Sequence, residues 1–486
     1  MHREILFHRV RSFAYLCTAG IPNRSPTTVA MTDRYSYRSI WKVVWPVLVS
    51  MLMEQLLGMV DTAFLGHVGE VELGASAIAG ILFMVVFMIG LGFSFGAQII
   101  IGRRNGEATS STGDWRPTGK VFWTGIELLA VLSVVVYLLC IPLMPLLIRG
   151  MVSSDSIFEA CGSYMKWRLP SLFFANLTCM FRAFYMGTKQ TEALTANSLV
   201  MVGSNILLDW LLIFGKAGLP AMGIQGAALA STIAEGVSLC FFVLYMWLRT
   251  DRRMYGLDSV PKLDLTQIRE MIKVGGWTMV ENVLSLGTWL LFFIFIEHLG
   301  EHELAIANTV RSLSGLIWII INSFASTCSS LVSNLIGEGR KEEVTALIRR
   351  VLGLCCMVCA LPVLLYTLFP KSVLGIYSPD PVLRADGVAA LLVMALGCFT
   401  SILGNTYLNA TIGTGATRKA FQLEIIALAI YIAYCYVLIG RILRGAGLPP
   451  SSTIAIAWSS DILYGLSIYL LCRTYVHSGK WKSIKI

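Results

Sequence analysis

The sequence contains little charge. Asp, Glu, Lys and Arg make up only 14% of its 486 residues, whereas hydrophobic residues make up 56%, and the mean hydropathy is +0.70. Soluble domains carry about 25% charged residues. This composition therefore excludes an ordinary soluble enzyme or binding domain and indicates a polytopic membrane protein.

Alternating polar and apolar positions, the signature of a transmembrane β-barrel, are absent from every stretch of about ten residues. Helices satisfy their own backbone groups in lipid, so the apolar runs are predicted to be helical. Windows of roughly 19 residues predict twelve membrane-spanning helices. These spans cover residues 40–65, 73–102, 121–148, 165–187, 193–214, 223–248, 267–298, 304–336, 347–369, 384–411, 419–440 and 453–472.

The net charge of +9 follows the predicted topology. When residues near the ends of spans are counted with the adjoining loops, the N-terminal tail, the even-numbered loops and the C-terminal tail hold 28 of the 38 Lys and Arg residues. The other loops hold 8, and 2, Arg182 and Arg311, lie well inside spans. Because cytoplasmic loops are enriched in Lys and Arg, both termini are predicted to be cytoplasmic. The basic excess is explained by topology, and no nucleic-acid partner is expected.

The twelve cysteines lack paired external spacing and any Cys/His metal pattern, so they are interpreted as small core residues. No cofactor is expected. Residues 1–30 lack the apolar region of a signal peptide and precede a second methionine, Met31. They are interpreted either as a start-site extension or as a functional tail.

The two halves of the chain resemble each other. The segment "LGHVGEVELGASAIA" from Leu65 aligns with "IEHLGEHELAIANTV" from Ile296 at an offset of 231, and "GTKQT" from Gly187 begins a block that aligns at 226 with one from Gly413. Two six-helix bundles related by a parallel pseudo-repeat are predicted, in a V around a central cavity. The predicted limits are an N-terminal tail (1–39), an N-lobe (40–248), a cytoplasmic linker (249–266), a C-lobe (267–472) and a C-terminal tail (473–486).

An acidic residue interrupts the first apolar run, in "GMVDTAFLGHVGEVELG" from Gly58 to Gly74. A charged side chain at the bilayer centre costs at least about 2.5–3.5 kcal/mol on insertion scales. Asp61 is therefore expected to face protein or water and to have a functional role.

Several segments together resemble the multidrug and toxic compound extrusion family. They are "VDTAFLGHVG" in the first span, "GLGFSFGAQIIIGRRNGE" in the second, "GTKQT" after the fourth, "SNILLDWLLIFGKAG" in the fifth and "MGIQGAALAST" at the start of the sixth. The resemblance covers the chain from about residue 40 to its end. It implies an ion-coupled antiporter, not an enzyme, that exports organic, often cationic and amphipathic compounds in exchange for H⁺ or Na⁺.

The same resemblance assigns roles to particular residues. It implies a cation-coupling site in the N-lobe at Asp61, Asn205 and Asp209, with Ser231 where the family usually has Thr. Sodium-coupled members of the family are similar in placing acids in the seventh and tenth helices. Here the tenth span has none after Asp386, which argues against an ion site in the C-lobe.

The residues alone point to the same site. Asn205 and Asp209 are four apart on the fifth span, so they share one helix face, where an amide oxygen and a carboxylate could meet. Asp61 and Asp209 are each placed a few residues before a glycine at the outer end of an outward-running span, at similar depth. Sodium prefers oxygen ligands, and a buried carboxylate pair also retains a proton, so either ion fits. Hydrogen bonding between helices is the structural alternative.

Other residues are assigned supporting roles. Pro46 lacks an N–H and is predicted to kink the first helix, statically or as a hinge. Four further acids inside spans are expected to line the cavity or an ion path, or to be structural: Glu54, Glu235, Glu281 and Asp461. The many Met and aromatic residues suit a pliable cavity for flat cations.

Two other functions compete with the antiporter. A flippase for lipid-linked oligosaccharides would need more basic residues in its cavity than Arg182 and Arg311 provide. An intramembrane enzyme would need a catalytic motif, and no DDxxD, HExxH or nucleophile-elbow pattern occurs. We therefore expect a monomeric multi-pass protein of the bacterial inner membrane, in contact with lipids and small-molecule substrates.

Overall fold

A computed structural model of the protein describes residues 35–261, 264–445 and 447–484. All of the regular structure in these residues is helical. This confirms the predicted all-α class, as expected where no water is present to satisfy an open backbone. The interpretation of residues 1–30 as an extension lies outside the described residues.

Fifteen α-helices follow one another along the described chain. They are α1 (Tyr37–Gly66), α2 (Glu70–Glu107), α3 (Arg116–Met151), α4 (Asp155–Arg168), α5 (Ser171–Gly187), α6 (Glu192–Phe214), α7 (Ile224–Arg249), α8 (Arg252–Tyr255), α9 (Leu265–Glu297), α10 (Glu301–Gly337), α11 (Val344–Leu368), α12 (Pro370–Leu374), α13 (Pro381–Gly413), α14 (Thr417–Val437) and α15 (Pro450–Ser478). One π-helical turn, Ala108–Thr112, extends α2, and another, Leu438–Leu443, extends α14.

Eleven helical segments in the described residues are long and apolar enough to cross a membrane. They coincide with eleven of the twelve predicted spans. The exception is the fourth span, predicted at 165–187, because the chain there forms two helices. α4 ends at Arg168, and α5 is a 17-residue helix that begins after Pro170. Pro170 cannot donate a backbone hydrogen bond, which favours a helix end at this point.

Pro46 lies inside α1 and is buried. Its carbonyl oxygen accepts a hydrogen bond of 2.8 Å from Thr195 Oγ1, which ties α1 to α6. A proline inside a helix leaves a backbone carbonyl without its usual partner and crowds the preceding turn. The kink predicted at Pro46 stays a prediction.

The described helices form two compact units. The N-terminal unit comprises Trp45–Val283 with Gly337–Gly339, and the C-terminal unit comprises residues 35–44, 284–336 and 340–484. α9 is divided between them at Val283. The limits predicted for the N-lobe, linker and C-lobe stay a prediction.

The internal repeat is confirmed by matching local structure in the two halves. His67 Nδ1 lies 2.7 Å from the carbonyl oxygen of Ala63, and His298 Nδ1 lies 2.6 Å from that of Ile294. Each histidine follows a long helix and bonds back to its last turn. The two turns that align at the offset of 231 therefore have the same local structure.

The second aligned block shows the same correspondence. Lys189 and Gly415, at an offset of 226, both adopt a left-handed backbone, with φ of 62° and 85°. This conformation is strained for lysine and natural for glycine. A turn that requires positive φ thus follows α5 and α13 alike.

One apolar cluster surrounds the C-terminal end of α1 in the N-terminal unit. It joins α1, α2, α3, α4 and the adjoining ends of α6 and α7 through buried side chains that include Leu65, Phe83, Met165, Leu169, Ile213 and Ile224. Burial of such side chains stabilises the fold by about 1.5–3 kcal/mol each. The cluster fixes α1, α4, α6 and α7 beside one another.

Candidate functional site

Four predicted residues from three helices meet inside the N-terminal unit. Asp61 comes from α1, Asn205 and Asp209 from successive turns of α6, and Ser231 from α7. Asp209 is 0% exposed and Asn205 is 1% exposed, while Asp61 is half-buried. Two carboxyl groups and an amide therefore share one enclosed polar site.

The Asn205 amide connects the two carboxyl groups. In the orientation that satisfies its neighbours, Asn205 Nδ2 donates to Asp209 Oδ2 at 2.7 Å and to Asp61 Oδ1 at 3.1 Å. The other terminal atom of the amide lies 3.3 Å from Ser231 Oγ. An amide nitrogen carries two hydrogens, so each carboxyl group receives one of them.

The expectation that the Asn205 oxygen faces the carboxylates stays a prediction. Two carboxyl groups alone favour the amide nitrogen, whereas a cation between them favours the oxygen. The Asp61 and Asp209 side chains are also within hydrogen-bonding reach of each other. A hydrogen bond between two carboxyl groups requires a proton on one of them, so the arrangement suits a shared proton.

A sodium ion at this site would need several oxygen ligands. The two carboxyl groups supply some of them, and the Asn205 amide supplies another when its oxygen is turned toward them. Sodium binding at Asp61, Asn205 and Asp209 stays a prediction.

Arg168, the last residue of α4, is a site residue that the sequence interpretation missed. Its guanidinium carbon lies 4.3 Å above the centroid of the Phe83 ring, and it acts electrostatically on both Asp61 and Asp209. The sequence interpretation counted it among the external loop charges. The signal was its place before "LP", where proline ends one helix and starts another.

Glu54 lies two turns before Asp61 on α1 and is ion-paired with Arg182 of α5. Ser50 Oγ lies 3.5 Å from Glu54 Oε1 and 2.6 Å from Ser198 Oγ of α6. Glu54 and Arg182 are thus a charged pair that links α1 to α5. The ion path predicted for Glu54 stays a prediction.

Glu235 on α7 belongs to the same electrostatic neighbourhood, because it interacts with Arg168, Glu54 and Arg182. Glu281 on α9 also belongs to the N-terminal unit and is 8% exposed. The roles predicted for Glu235 and Glu281, as acids that line the cavity or an ion path, stay predictions.

A second acidic cluster lies in the C-terminal unit. Asp461 of α15 lies beside Tyr431, and the buried Glu424 of α14 accepts hydrogen bonds from Ser285 and from Tyr464 Oη, the latter at 3.3 Å. Sequence reasoning identified Asp461 but missed Glu424. Glu424 stands near the basic start of its span, and only the fold shows that it is buried among hydroxyl groups.

These findings define a class of protein: a polytopic helical membrane protein with a repeated unit and a buried carboxylate site, as in membrane transporters. The MatE family model matches residues 46–211 and 278–437. The chain therefore belongs to the MatE family, and it is a transporter, not an enzyme.

Individual relatives agree with this assignment. A protein of Thermotoga maritima named "Probable multidrug resistance protein NorM" is 26% identical over 457 residues, covering 92% of this chain and 93% of the relative. The "Multidrug resistance protein NorM" of Aliivibrio fischeri is 22% identical over 400 residues, covering 81% and 83%.

Solved structures show the same fold. A structure described as the outward-facing conformation of a multidrug resistance MATE family transporter of the MOP superfamily superimposes with a TM-score of 0.81, at 17% identity. It covers 94% of this chain and 100% of that one. At this level of identity the similarity establishes the fold alone.

Proposed function

We propose that this chain is a secondary active multidrug efflux antiporter that exports small organic, often cationic and amphipathic compounds in exchange for H⁺ or Na⁺. The observation that carries the proposal is the pair of carboxyl groups, Asp61 and Asp209, bonded to one amide nitrogen inside a membrane bundle. Acids placed within membrane-spanning helices are costly and typically mark ion pathways. The names of the relatives, multidrug resistance proteins, support the substrate class.

A buried pair of carboxyl groups supports H⁺ as an exchanged ion. A carboxylate removed from water holds a proton more readily than one in solution, and Asn205 stabilises the charge that remains on the pair by donating to both groups. Proton capture from the outer side and release toward the cytoplasm would change the net charge of the site by one. That change couples ion movement to a conformational change that releases substrate.

The remaining features of the proposal rest on the sequence. The excess of Lys and Arg on one set of loops supports cytoplasmic termini, and the bacterial relatives support the inner membrane as the location. Lipids and organic substrates are the expected partners of a monomer. No cofactor other than the coupling ion is required.

Drug-resistance profiles test the proposal. The chain is expressed in a bacterium that lacks its own efflux pumps, and growth is measured with organic cations and neutral drugs, with and without sodium. We expect resistance to several cations that persists without sodium and disappears with a protonophore. If the protein reaches the membrane but changes resistance to no compound, the multidrug function is contradicted. Loss of resistance in sodium-free medium would instead identify Na⁺ as the coupling ion.

A further inference from the structure

We propose that Arg311, together with the aromatic side chains of Trp289 and Phe293, forms a binding site for the carboxylate of an aromatic organic compound. All three residues belong to the C-terminal unit. The site would extend the substrates of the antiporter from cations to compounds that carry a carboxylate, so its role in efflux rests on the proposed function. Three observations carry the inference: the aromatic surroundings of the guanidinium, its unused donors, and the aligned residues of the other half.

Two aromatic rings of α9 lie beside the Arg311 side chain of α10. The guanidinium carbon lies 5.9 Å from the ring centroid of Trp289 and 5.8 Å from that of Phe293. The two ring centroids are 4.8 Å apart, and the rings meet edge to face. Distances below about 6 Å allow a cation–π interaction, which holds a guanidinium without neutralising its charge. Trp289 is 38% exposed, so its ring still offers apolar surface to a ligand.

The guanidinium of Arg311 keeps unused donors. Its Nε donates to Asn308 Oδ1 at 3.2 Å, one turn earlier on the same helix. Among the residues that the structure describes, Arg311 has no ion-pair partner, and its Nη1 and Nη2 groups donate to none of them. Two such groups form a planar fork that matches the two oxygens of a carboxylate. The bond to Asn308 therefore orients the guanidinium and leaves this fork available.

The charge of Arg311 lies inside a long apolar helix. At 1.5 Å per residue, Arg311 is about 15 Å along α10 from its first residue, Glu301. A charged side chain at such a depth is costly in hydrocarbon, and it normally faces protein or a water-filled cavity and marks the path of a ligand. Arg311 is half-buried. An anionic ligand would supply the counter-charge that the described residues do not provide.

The internal repeat indicates that the fold does not require this group of residues. At the offset of 231, the three residues of the proposed site align with Gly58, Thr62 and Gly80. None of these has an aromatic ring or a charge. The N-terminal half forms the matching turn between its helices without them. This difference favours a binding role over a role in packing.

The chemistry of the side chains defines the class of ligand. The guanidinium fork can bind a carboxylate through two charge-assisted hydrogen bonds, and the two rings can contact an aromatic group edge to face or offset-stacked. An aromatic acid or an aromatic zwitterion satisfies both parts of the site. The phosphate of an anionic lipid offers similar oxygen atoms, and the experiment below separates it from a substrate carboxylate.

Dansylglycine, a fluorescent aromatic carboxylate, tests the site directly. Its neutral amide, dansylglycinamide, is the matched ligand without the charge. Binding of each compound to purified protein in phosphatidylcholine nanodiscs is followed by fluorescence. The wild type should bind the acid at least about tenfold more tightly than the amide, because charge-assisted hydrogen bonds are strong. Arg311→Gln should lose this preference, whereas Trp289→Leu should weaken the binding of both compounds.

The matched control is Arg441→Gln. Arg441 also lies over an aromatic ring of the same unit, that of Tyr436 at 5.5 Å, but it is exposed and its Nη2 donates to Tyr436 Oη at 2.9 Å. This variant should keep the preference for the acid. Arg311→Lys keeps the charge but loses the planar fork, so its preference should be intermediate. It decides the role of Arg311 together with the wild type if Arg311→Gln fails to fold.

Nanodiscs that also contain phosphatidylglycerol distinguish a lipid from a substrate. Binding of dansylglycine should persist in them. If phosphatidylglycerol removes it, the guanidinium binds a lipid phosphate, and the assignment to a substrate is overturned. Equal affinity of the wild type for acid and amide, or an unchanged preference in Arg311→Gln, would also overturn the site.

Proteoliposomes separate this inference from the proposed function. The ratio of dansylglycine efflux to efflux of a fluorescent organic cation should fall at least about tenfold in Arg311→Gln. Efflux of the cation but not of dansylglycine by the wild type would overturn the role of the site in transport. Failure of the wild type to move either compound under a proton or a sodium gradient would overturn the antiport function instead, while the binding comparison still decides whether Arg311 binds a carboxylate.

Discussion

Asp61 is tolerated in a membrane helix because its neighbours stabilise both of its protonation states. Asn205 donates one N–H to Asp61 and the other to Asp209. A hydrogen bond to a charged group contributes about 1.5–3 kcal/mol, which offsets part of the cost of removing a carboxylate from water. A proton shared between the two carboxyl groups offsets more of it. The two acids are therefore expected to act as one unit.

A double-mutant cycle tests whether Asp61 and Asp209 act as one unit. Asp61→Asn and Asp209→Asn should each reduce uphill efflux by about 100-fold, and the double variant should lose about the same, because groups that act as one unit are strongly non-additive. Transport by each variant is measured in proteoliposomes containing equal amounts of protein. Asp155→Asn, an exposed acid of the same unit, should transport like the wild type. Multiplied losses, near 10,000-fold in the double variant, would indicate two independent roles.

Sequence reasoning identified much of this site, but not its details. Helical periodicity placed Asn205 and Asp209 on one face, and equal depth placed Asp61 beside them. It could not determine which end of the Asn205 amide faces the acids, since that depends on the hydrogen-bonding needs of all its neighbours. It also missed Arg168, because an arginine near a helix end has the same local pattern whether it faces solvent or protein.

At the scale of helices, the main difference between the predicted and the observed structure is the break in the fourth span. A continuous helix through residues 165–187 would contain Pro170 in its interior, where it costs about 3 kcal/mol or more. The chain instead ends α4 at Arg168 and starts α5 at Ser171. Hydropathy predicted one span here because it measures composition, whereas the break depends on one residue and on packing around α4.

Close helix contact at glycine gives a testable prediction for the C-terminal unit. A Cβ atom at Gly413, the last residue of α13, would collide with the backbone of Ser329 on α10, whose Cα would lie only 2.9 Å away. Gly413→Ala should therefore destabilise the protein by about 1–3 kcal/mol and lower its Tm in detergent. Gly203→Ala is the control, because nothing lies within 4 Å of its added methyl group. That variant should be unchanged or up to about 1 kcal/mol more stable. Equal melting temperatures of both variants would contradict the packing assigned to Gly413.

Across the whole molecule, the two halves of the repeat share local backbone structure but differ in the side chains at the aligned site positions. At the offset of 231 Asp61 corresponds to Phe292, and at the offset of 226 Asn205 and Asp209 correspond to Tyr431 and Cys435. The C-terminal half therefore has the same turns but lacks paired acids at these positions. Of Asp61, Asp209 and Glu235, Glu235 alone has an acidic counterpart, Asp461. The coupling chemistry that we propose is accordingly concentrated in the N-terminal unit.

The orientation of the chain is tested by reporter fusions. The distribution of Lys and Arg predicts that Gly339, between α10 and α11, lies on the cytoplasmic side and that Gly300, between α9 and α10, lies outside. Reporters active only in the cytoplasm or only outside, fused at each position, should give opposite signals. The reverse pattern would contradict the topology and the direction of ion movement.

The central claim is that Asp61 couples ion movement to transport, and the Asp61→Asn variant in proteoliposomes tests it most directly. This substitution keeps the size and polarity of the side chain but removes its ability to exchange a proton or bind a cation as a charged group. Two activities are measured on the same vesicles: exchange of labelled substrate at equilibrium, and uphill transport driven by an imposed proton or sodium gradient. We predict that exchange persists while gradient-driven transport is abolished. Uphill transport by Asp61→Asn at close to the wild-type rate would contradict the claim and make Asp61 a structural acid.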